Sequence, residues 1–556
     1  MLDETQILDT IQQKLSKLEE GVYLVNGSPG SGKTRILIER AHYLVNSYSI
    51  SPFDILIVSF SNSAVDELKK RLKEDIRVCT LHSYCNSLIC KEQIIPPKVM
   101  SRSQKKYFLQ KSLKQAGIDI YELSVIELMI TQAKNRMKDS TGDKEVDRVW
   151  QAYEEMKAEA EVIDFDDMLL GGYNVVSSTN DYNYGWLMVD EAHDLSALQH
   201  RIIDEMHDGN LFLVASLDQS VYQWRCAIPE LIEKIDSRYD SVKAYKLERN
   251  YRCKSRIVEF ANPLAKYIKG QPDKEGGTVD NLGHYDDPSD EADAIVETIT
   301  EGETAILYRT NWYALELEVA LRQTGIGYTL LSGGSFFELP EVQDMIAYLK
   351  LSIDTTDMDA FSRVYNRPNR YLSKKWKRKF DNCDDDDVLD RLAHDFKGES
   401  YWRRAQREIH RLLTDIQEAE FPEQVLSIVR RDYDSWWVKE AMNIEEAKEV
   451  LMNIDRFQIF TARFKDIPKL LEFIENDHPE GTVTLATGHS IKGHEFRHVH
   501  VAGCTDGLIP HTKSENIDEE RRLLYVMFTR AKDRLTYSSA TWRQFKKPSR
   551  FLRELI

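Results

Sequence analysis

Short apolar runs, each closed by small or polar residues and followed by an amphipathic stretch, recur along this 556-residue chain. Val22–Asn26, Ile55–Ser59, Leu187–Val189, Leu211–Ala215, Ala305–Tyr308, Val483–Ala486, Val499–Ala502 and Leu535–Tyr537 read as strands. Between them lie helical spacings, as at Ile36, Leu37, Ala41 and Leu44, which mark the buried side of one helix. Strands that alternate with helices predict an α/β fold with mostly parallel sheets. Two long stretches lack strand patterns. Residues 92–161 and 351–480 are rich in Lys, Glu, Leu and Met at helical spacing and are read as mainly helical insertions. The predicted organisation is therefore a first α/β domain (1–91 and 162–250) interrupted by 92–161. A second (251–350 and 481–556) is interrupted by 351–480. Their boundary falls near Asn250–Arg256, and GQPDKEGG (Gly270–Gly277) reads as an exposed turn just past it.

In open α/β sheets chemistry gathers beyond the carboxyl ends of strands. The polar clusters GSPGSGKT, SFSNS, DEAHD, SLDQS and TGHSIKG all follow predicted strands. The first, Gly27–Thr34, fits the phosphate-cradling pattern G-x-x-x-x-G-K-[ST] and sits between a strand and a helix. Gly27, Gly30 and Gly32, with Ser28 and Ser31 between them, permit a backbone that aims N–H groups at a polyanion. Lys33 supplies a point charge for the phosphates, and Thr34 offers a hydroxyl to Mg²⁺. Roughly 0.02 such matches would arise by chance in a chain of this length, so the string predicts a nucleoside triphosphate site.

Phosphoanhydride hydrolysis needs one carboxylate at the metal and another to orient or deprotonate water. Asp190 and Glu191, at the tip of a predicted strand, suit that division. An arginine must also reach the γ-phosphate, and Arg35, Arg252 and Arg530 stand in distinctive strings.

Bulk properties set limits. The length calls for several domains, and 42% hydrophobic with 30% charged residues suits globular folding. No run approaches a membrane span, and MLDETQILDT lacks the basic start and apolar core of a signal peptide, so the cytoplasm is expected. Seven cysteines without a CxxC pair read as reduced thiols. A net charge of −18 argues against a nucleic-acid partner, unless a local groove carries the binding. Basic stretches exist at Lys374–Lys379, Trp402–Arg407 and Lys98–Lys114, each more readily read as a solvated helix face than as a binding site.

The strings, taken in order, resemble the UvrD/Rep/PcrA family of superfamily-one DNA helicases, in a compact form. The resemblance runs through GSPGSGKT, ILIVSFSNSAVDELKKRL, VCTLHSYC, DFDDML, VDEAHD, VASLDQSVYQWRCA, LERNYR, ILYRTN, FFELPEVQDMIAYLKL, NRPNRYLS, ATGHSIKGHEF and EERRLLYVMFTRAK. It implies two RecA-like domains, each with a helical insertion, using ATP and Mg²⁺. It further implies that Gln6 reads adenine, Tyr251 stacks on it, and Glu495 contacts the ribose or nearby phosphate machinery. Lys33 and Thr34 would bind phosphate and metal, with Asp190 in the metal shell and Glu191 activating water. Gln219 would sense the γ-phosphate, and Arg252 and Arg530 would be fingers from the facing domain. Phe60, Tyr222, Trp224 and His489 match positions that contact single-stranded DNA, where aromatic faces hold bases of any sequence. Departures are His193 where the family has Gln, Ser216-Leu217 in place of Gly-Asp, and His494 in place of Leu.

The expected activity is ATP-driven 3′→5′ translocation on single-stranded DNA with duplex unwinding at single/double-strand junctions. Two alternatives stay open. One is a motor subunit of a helicase–nuclease or other DNA-processing complex with a protein partner; the other is an ATP-gated clamp that binds DNA without unwinding.

Overall fold

In the computed structural model, residues 1–8, 93–96, 119–122, 180, 300–301, 332–333, 397, 400, 441–443, 477–480, 543–544 and 556 are not described, nor are the side chains of 440–446. Sixteen strands are present among the described residues. Those before residue 250 are β1 (Val22–Gly27), β2 (Ile55–Ser59), β3 (Arg77–Thr80), β4 (Lys98–Val99), β5 (Val162–Ile163), β6 (Trp186–Val189), β7 (Leu211–Ala215) and β8 (Lys243–Leu247). They are followed by β9 (Arg249–Lys254), β10 (Gln271–Lys274), β11 (Thr278–Tyr285), β12 (Thr304–Tyr308), β13 (Tyr328–Leu330), β14 (Val483–Thr487), β15 (Phe496–Val501) and β16 (Ala531–Ala540).

Two six-stranded sheets dominate, ordered β3-β2-β6-β7-β1-β8 and β11-β16-β15-β12-β14-β13. Every pairing in both is parallel. Parallel strands are covered on both faces, so their sequences are continuous apolar runs. ILIVS of β2 and LFLVA of β7 are buried at every position. Helix α1 (Thr10–Ser16) starts on an Asp9–Gln12 capping box, in which side chain and backbone satisfy each other reciprocally. Helix α2 (Lys33–Asn46) packs Ile36, Leu37, Ala41 and Leu44 into the first sheet's core, all fully buried.

Both sheets belong to one compact unit; a second is formed mainly by residues 333–480. That second unit is helical among its described residues, with helices Pro340–Ile353, Met358–Val364, Lys374–Asp381, Val388–Ala393, Trp402–Gln417, Pro422–Glu440, Ile444–Thr461 and Ile467–Glu475. Helix Pro340–Ile353 runs continuously through the expected 350/351 boundary. A hydrogen-bonded helix does not divide there, so the unit starts earlier, at 333.

Two local differences from the sequence reading have simple causes. The first insertion contains a two-residue strand, β4, paired with β5 just past its expected end at 161. Gln271–Lys274, expected as turn, is a strand beside β9, because the Gln271 amide reaches Glu248 O at 2.7 Å and Pro272 is tolerated on an edge. The turn itself falls at Gly276 and Gly277, at φ +92° and +87°.

Candidate nucleotide and strand site

The phosphate loop leaves β1 at Gly27 and is tied to the end of β8. The Ser28 amide donates to Leu247 O (2.9 Å) and its hydroxyl to Glu248 O (3.1 Å). Ser31 Oγ donates to Ser28 O at 2.8 Å. Gly30 has φ +67°, and a Cβ there would stand 2.5 Å from Arg252 Cβ, so side-chain-free backbone is required on two counts. Gly32, at φ +80°, caps α2 without any side-chain hydrogen bond, leaving the first-turn amides to an incoming anion. Lys33 Nζ donates to Gly27 O (3.2 Å) and Ser28 O (3.0 Å). Burial lowers its pKa to about 8.

At the tip of β6, Thr34 Oγ1 donates to Asp190 Oδ2 at 3.3 Å. Glu191 follows in the left-handed region, φ +53°, a strained position for a residue with a side chain. The adjacent carboxyls are pushed apart. Burial and then the Glu191 charge raise Asp190, while for Glu191 burial is outweighed by Lys492 and other nearby cations, which lower it. Such separation suits two neighbouring acids to different roles.

Around Glu191 lies a buried cluster. Lys492 Nζ sits 3.6 Å from Glu191 Oε2, donates to Asp194 Oδ2 and to Gln219 O (3.2 Å), and lies 3.0 Å from His193 Nε2. Glu191, His193 and Asp194 are spaced as a metal could use them. The Lys492 ammonium already supplies the positive charge there, so the trio reads as an ion-pair network.

Two arginines reach this pocket from β9 and from the second sheet. Arg252 Nε donates to Glu495 Oε2 (2.7 Å) and Nη1 to Thr529 O (3.2 Å). Arg530 is buried; its Nε donates to Val526 O (3.0 Å) and Nη1 to His494 O (3.4 Å). Burial, and then Arg252, lower its pKa to about 9. Both arginines are close enough to depress Lys33. Glu495 is held by Arg252 and by Lys532 (2.9 Å), which outweigh its burial and lower it to about 2.

Gln6 lies outside the described residues. A different glutamine touches the loop: Gln12 Nε2 donates to Ser31 O at 3.0 Å. The Tyr251 amide donates to Gly30 O (2.9 Å), its hydroxyl to Asp9, and the Arg249 guanidinium stands 5.5 Å from its ring. Arg35 is half-buried in the first turn of α2.

This donor set fits a nucleoside triphosphate with a divalent cation. Gln219 Nε2 and Arg530 Nη2 are buried without an acceptor, and α2 has no side-chain cap. Buried donors in that state cost about 1–3 kcal/mol each, which phosphate oxygens would recover.

The four expected strand contacts form one aromatic chain. Phe60 stacks on Tyr222 (5.3 Å, 20°), Tyr222 meets Trp224 (6.4 Å, 60°), and His489 meets Trp224 edge-on (6.1 Å, 90°). Arg225 lies over Trp224 at 4.5 Å and Tyr222 at 5.4 Å. Burial, then Arg309, lower His489 to about 4, so its ring is neutral near pH 7 and acts as a face rather than a charge. Trp224 is 51% exposed. Phe165, which the sequence reading did not single out, is a further exposed aromatic, 54% exposed with His82 edge-on at 5.8 Å.

The segment joining Gln219 to Trp224 is latched to the helix Ile517–Phe528. Arg522 Nε donates to Ser220 O (2.7 Å), and Glu519 accepts from the Gln223 amide (2.9 Å). Gln219 and the Tyr222–Trp224 pair thus share one short segment held by a helix of the second lobe.

The chain matches two family models, the UvrD/REP helicase N-terminal domain over residues 8–240 and the UvrD-like helicase C-terminal domain over 245–541. It is similar to the ATP-dependent DNA helicase PcrA of Staphylococcus epidermidis, 28% identical over an alignment 636 positions long, gaps included, that covers 99% of this chain and 86% of that one. The same-named protein of Staphylococcus aureus is 28% identical over 634, with the same coverage.

Proposed function

This chain belongs to the UvrD-like helicase family, whose C-terminal model alone spans more than half of it, and from that premise we propose an ATP-dependent DNA helicase that translocates 3′→5′ on single-stranded DNA and unwinds duplex at the junction. No described helix is long and apolar enough to cross a membrane. The observation that carries this reading is the convergence of Lys33, Glu191, Arg252 and Arg530 from two lobes on one pocket, joined by a short segment to the aromatic chain.

Thr34 and Asp190 would hold Mg²⁺, which supplies charge neutralisation on the phosphates. The amides of the Gly27–Thr34 loop and Lys33 bind the triphosphate, while Glu191, kept anionic by Lys492, accepts a proton from water. Arg252 and Arg530 stabilise charge that grows in the transition state, and Gln219 supplies a further donor. Because the arginines come from the other side of the cleft, hydrolysis requires closure. Closure moves the helix Ile517–Phe528 and, through Ser220 and Gln223, the grip of Tyr222 and Trp224 on the bases. Base stacking makes that grip indifferent to sequence.

The test is ATPase and strand displacement on duplexes with 3′ or 5′ single-stranded tails, in DNA and RNA. DNA-stimulated ATPase with displacement only from 3′ tails is expected. Displacement from 5′ tails would overturn the polarity, and ATPase without displacement would favour a clamp.

A further inference from the structure

His193 stands in the turn after β6 and is fully buried. Its ring is fixed from one side by the backbone amide of Ser216, 3.0 Å from Nδ1. A backbone amide can only donate, so Nδ1 carries the lone pair and the proton of the neutral ring is on Nε2. Burial, then the neighbouring Lys492, keep the ring neutral. On its other side, Nε2 is 3.2 Å from Glu191 Oε2 and 3.6 Å from Asp194 Oδ1. Both oxygens are buried without a hydrogen-bond donor. Lys492 Nζ stands 3.0 Å from Nε2. In this tautomer neither nitrogen offers a lone pair to the other, so the two are donors converging on the same carboxylates.

We infer that His193 is a positioning residue for Glu191: its Nε2–H takes Glu191 Oε2 and leaves the other oxygen for water. The inference rests on the reading of Glu191 as the group that activates water. Donor and acceptor are within reach but not aligned here, as catalytic hydrogen bonds often are before substrate tightens them. A small turn of the Glu191 side chain completes the bond. Through Nδ1 the same ring ties the turn after β6 to Ser216, where the segment carrying Gln219 and Trp224 begins. A glutamine could serve both contacts, its carbonyl accepting and its amide donating; leucine could serve neither.

The full chain is compared with His193→Leu and His193→Gln, measuring ATP hydrolysis at saturating ATP with a dT oligonucleotide and, separately, affinity for a fluorescent ATP analogue. His193→Leu should lower kcat by about tenfold or more, a fraction of the ~10²–10⁴ a general base supplies, with affinity changed less than about threefold. His193→Gln should restore kcat to within about threefold. Wild-type turnover in His193→Leu, or equal loss in both variants, would overturn the inference. Should the leucine variant not fold, ¹⁵N spectra of the wild type decide. The histidine signal absent from His193→Gln should show a neutral Nε2–H ring, and an Nδ1–H or doubly protonated ring overturns the inference. Glu191→Gln separates the two layers: if it is inactive while His193→Leu is fully active, only the positioning role falls. If Glu191→Gln still hydrolyses ATP, the reading of Glu191 falls with it.

Discussion

The two sheets have the same size and the same all-parallel pairing, yet they end in different chemistry. In the first, the central strands β1, β6 and β7 run into the phosphate loop, the Asp190–Glu191 pair and the Gln219 segment. In the second, central β12 runs into Arg309, which is spent on Glu520 at 3.0 and 2.7 Å, with no glycine loop after it. The second lobe instead contributes Lys492 and Arg530 from loops around β14 to β16, with Arg252 beside them from β9. On the proposed function, one lobe would hold the nucleotide and the other complete its surroundings. A repeated architecture therefore need not repeat a site; what matters is which strand ends are free to face the cleft.

Substitutions can break that division of labour, and the largest expected effect is on the completing side. Arg530→Ala should lower kcat by ~10³–10⁵, the range of an arginine finger, with affinity for an ATP analogue changed less than about tenfold. Affinity and turnover collapsing together would make Arg530 a binding group and erase the asymmetry. On the holding side, Lys33→Ala should remove both nucleotide affinity and hydrolysis, by about 10²–10³ or more. Anisotropy of a labelled dT oligonucleotide should show strand binding retained. Equal loss of strand binding would mean the loop is structural.

A smaller effect probes the aromatic chain that the lobes share. Trp224→Ala removes the most exposed ring of that chain. It should weaken single-strand binding by ~1–3 kcal/mol, read by the same anisotropy titration at fixed salt. No change would place the strand elsewhere.

The holding side was the more legible from sequence, for a physical reason. A parallel strand buried on both faces writes a continuous apolar run, and a backbone that cradles anions needs glycine at fixed spacing, so β1, Gly30, Gly32 and Lys33 announce themselves. The arginines became visible only through the order of whole strings, because one arginine resembles another until the fold brings it to Gly30 or His494. Gln12 was missed because its role depends on a capping box that turns its amide onto Ser31 O. Glu495 was expected at the ribose or nearby phosphate machinery; its pairing with Arg252 and Lys532 is set by tertiary structure and could not be read from the sequence. His193 showed in the sequence only as an unexpected letter; its meaning lies in which atoms face its two nitrogens.

The smallest expected effect sharpens the comparison within the cores. The first sheet's central strands β6 and β7 are wholly apolar inside, but the second carries a polar seam. His498 Nε2 and His500 Nδ1 share the Thr536 hydroxyl at 2.9 and 2.6 Å, and His500 Nε2 meets Ser538 Oγ at 2.8 Å. Burial, then Arg534, lower His498 to about 4, and burial drives His500 well below the ordinary histidine value. The folded state therefore binds fewer protons than the unfolded chain once pH falls below about 6.5. Stability from such groups is present at neutral pH and lost as pH drops from there toward the folded-state value, about 2 kcal/mol per buried histidine between pH 7 and pH 5. Hydrogen exchange, corrected for its intrinsic pH dependence, should show β15 and β16 losing protection over that interval while β6 and β7 keep theirs. The first lobe's own buried histidines, His193 and His200, lie outside its strands, so they do not predict the same local opening. Equal loss in both sheets would mean acid acts through the cleft's ion pairs rather than through the seam, and the cores would then be alike in everything but their ends.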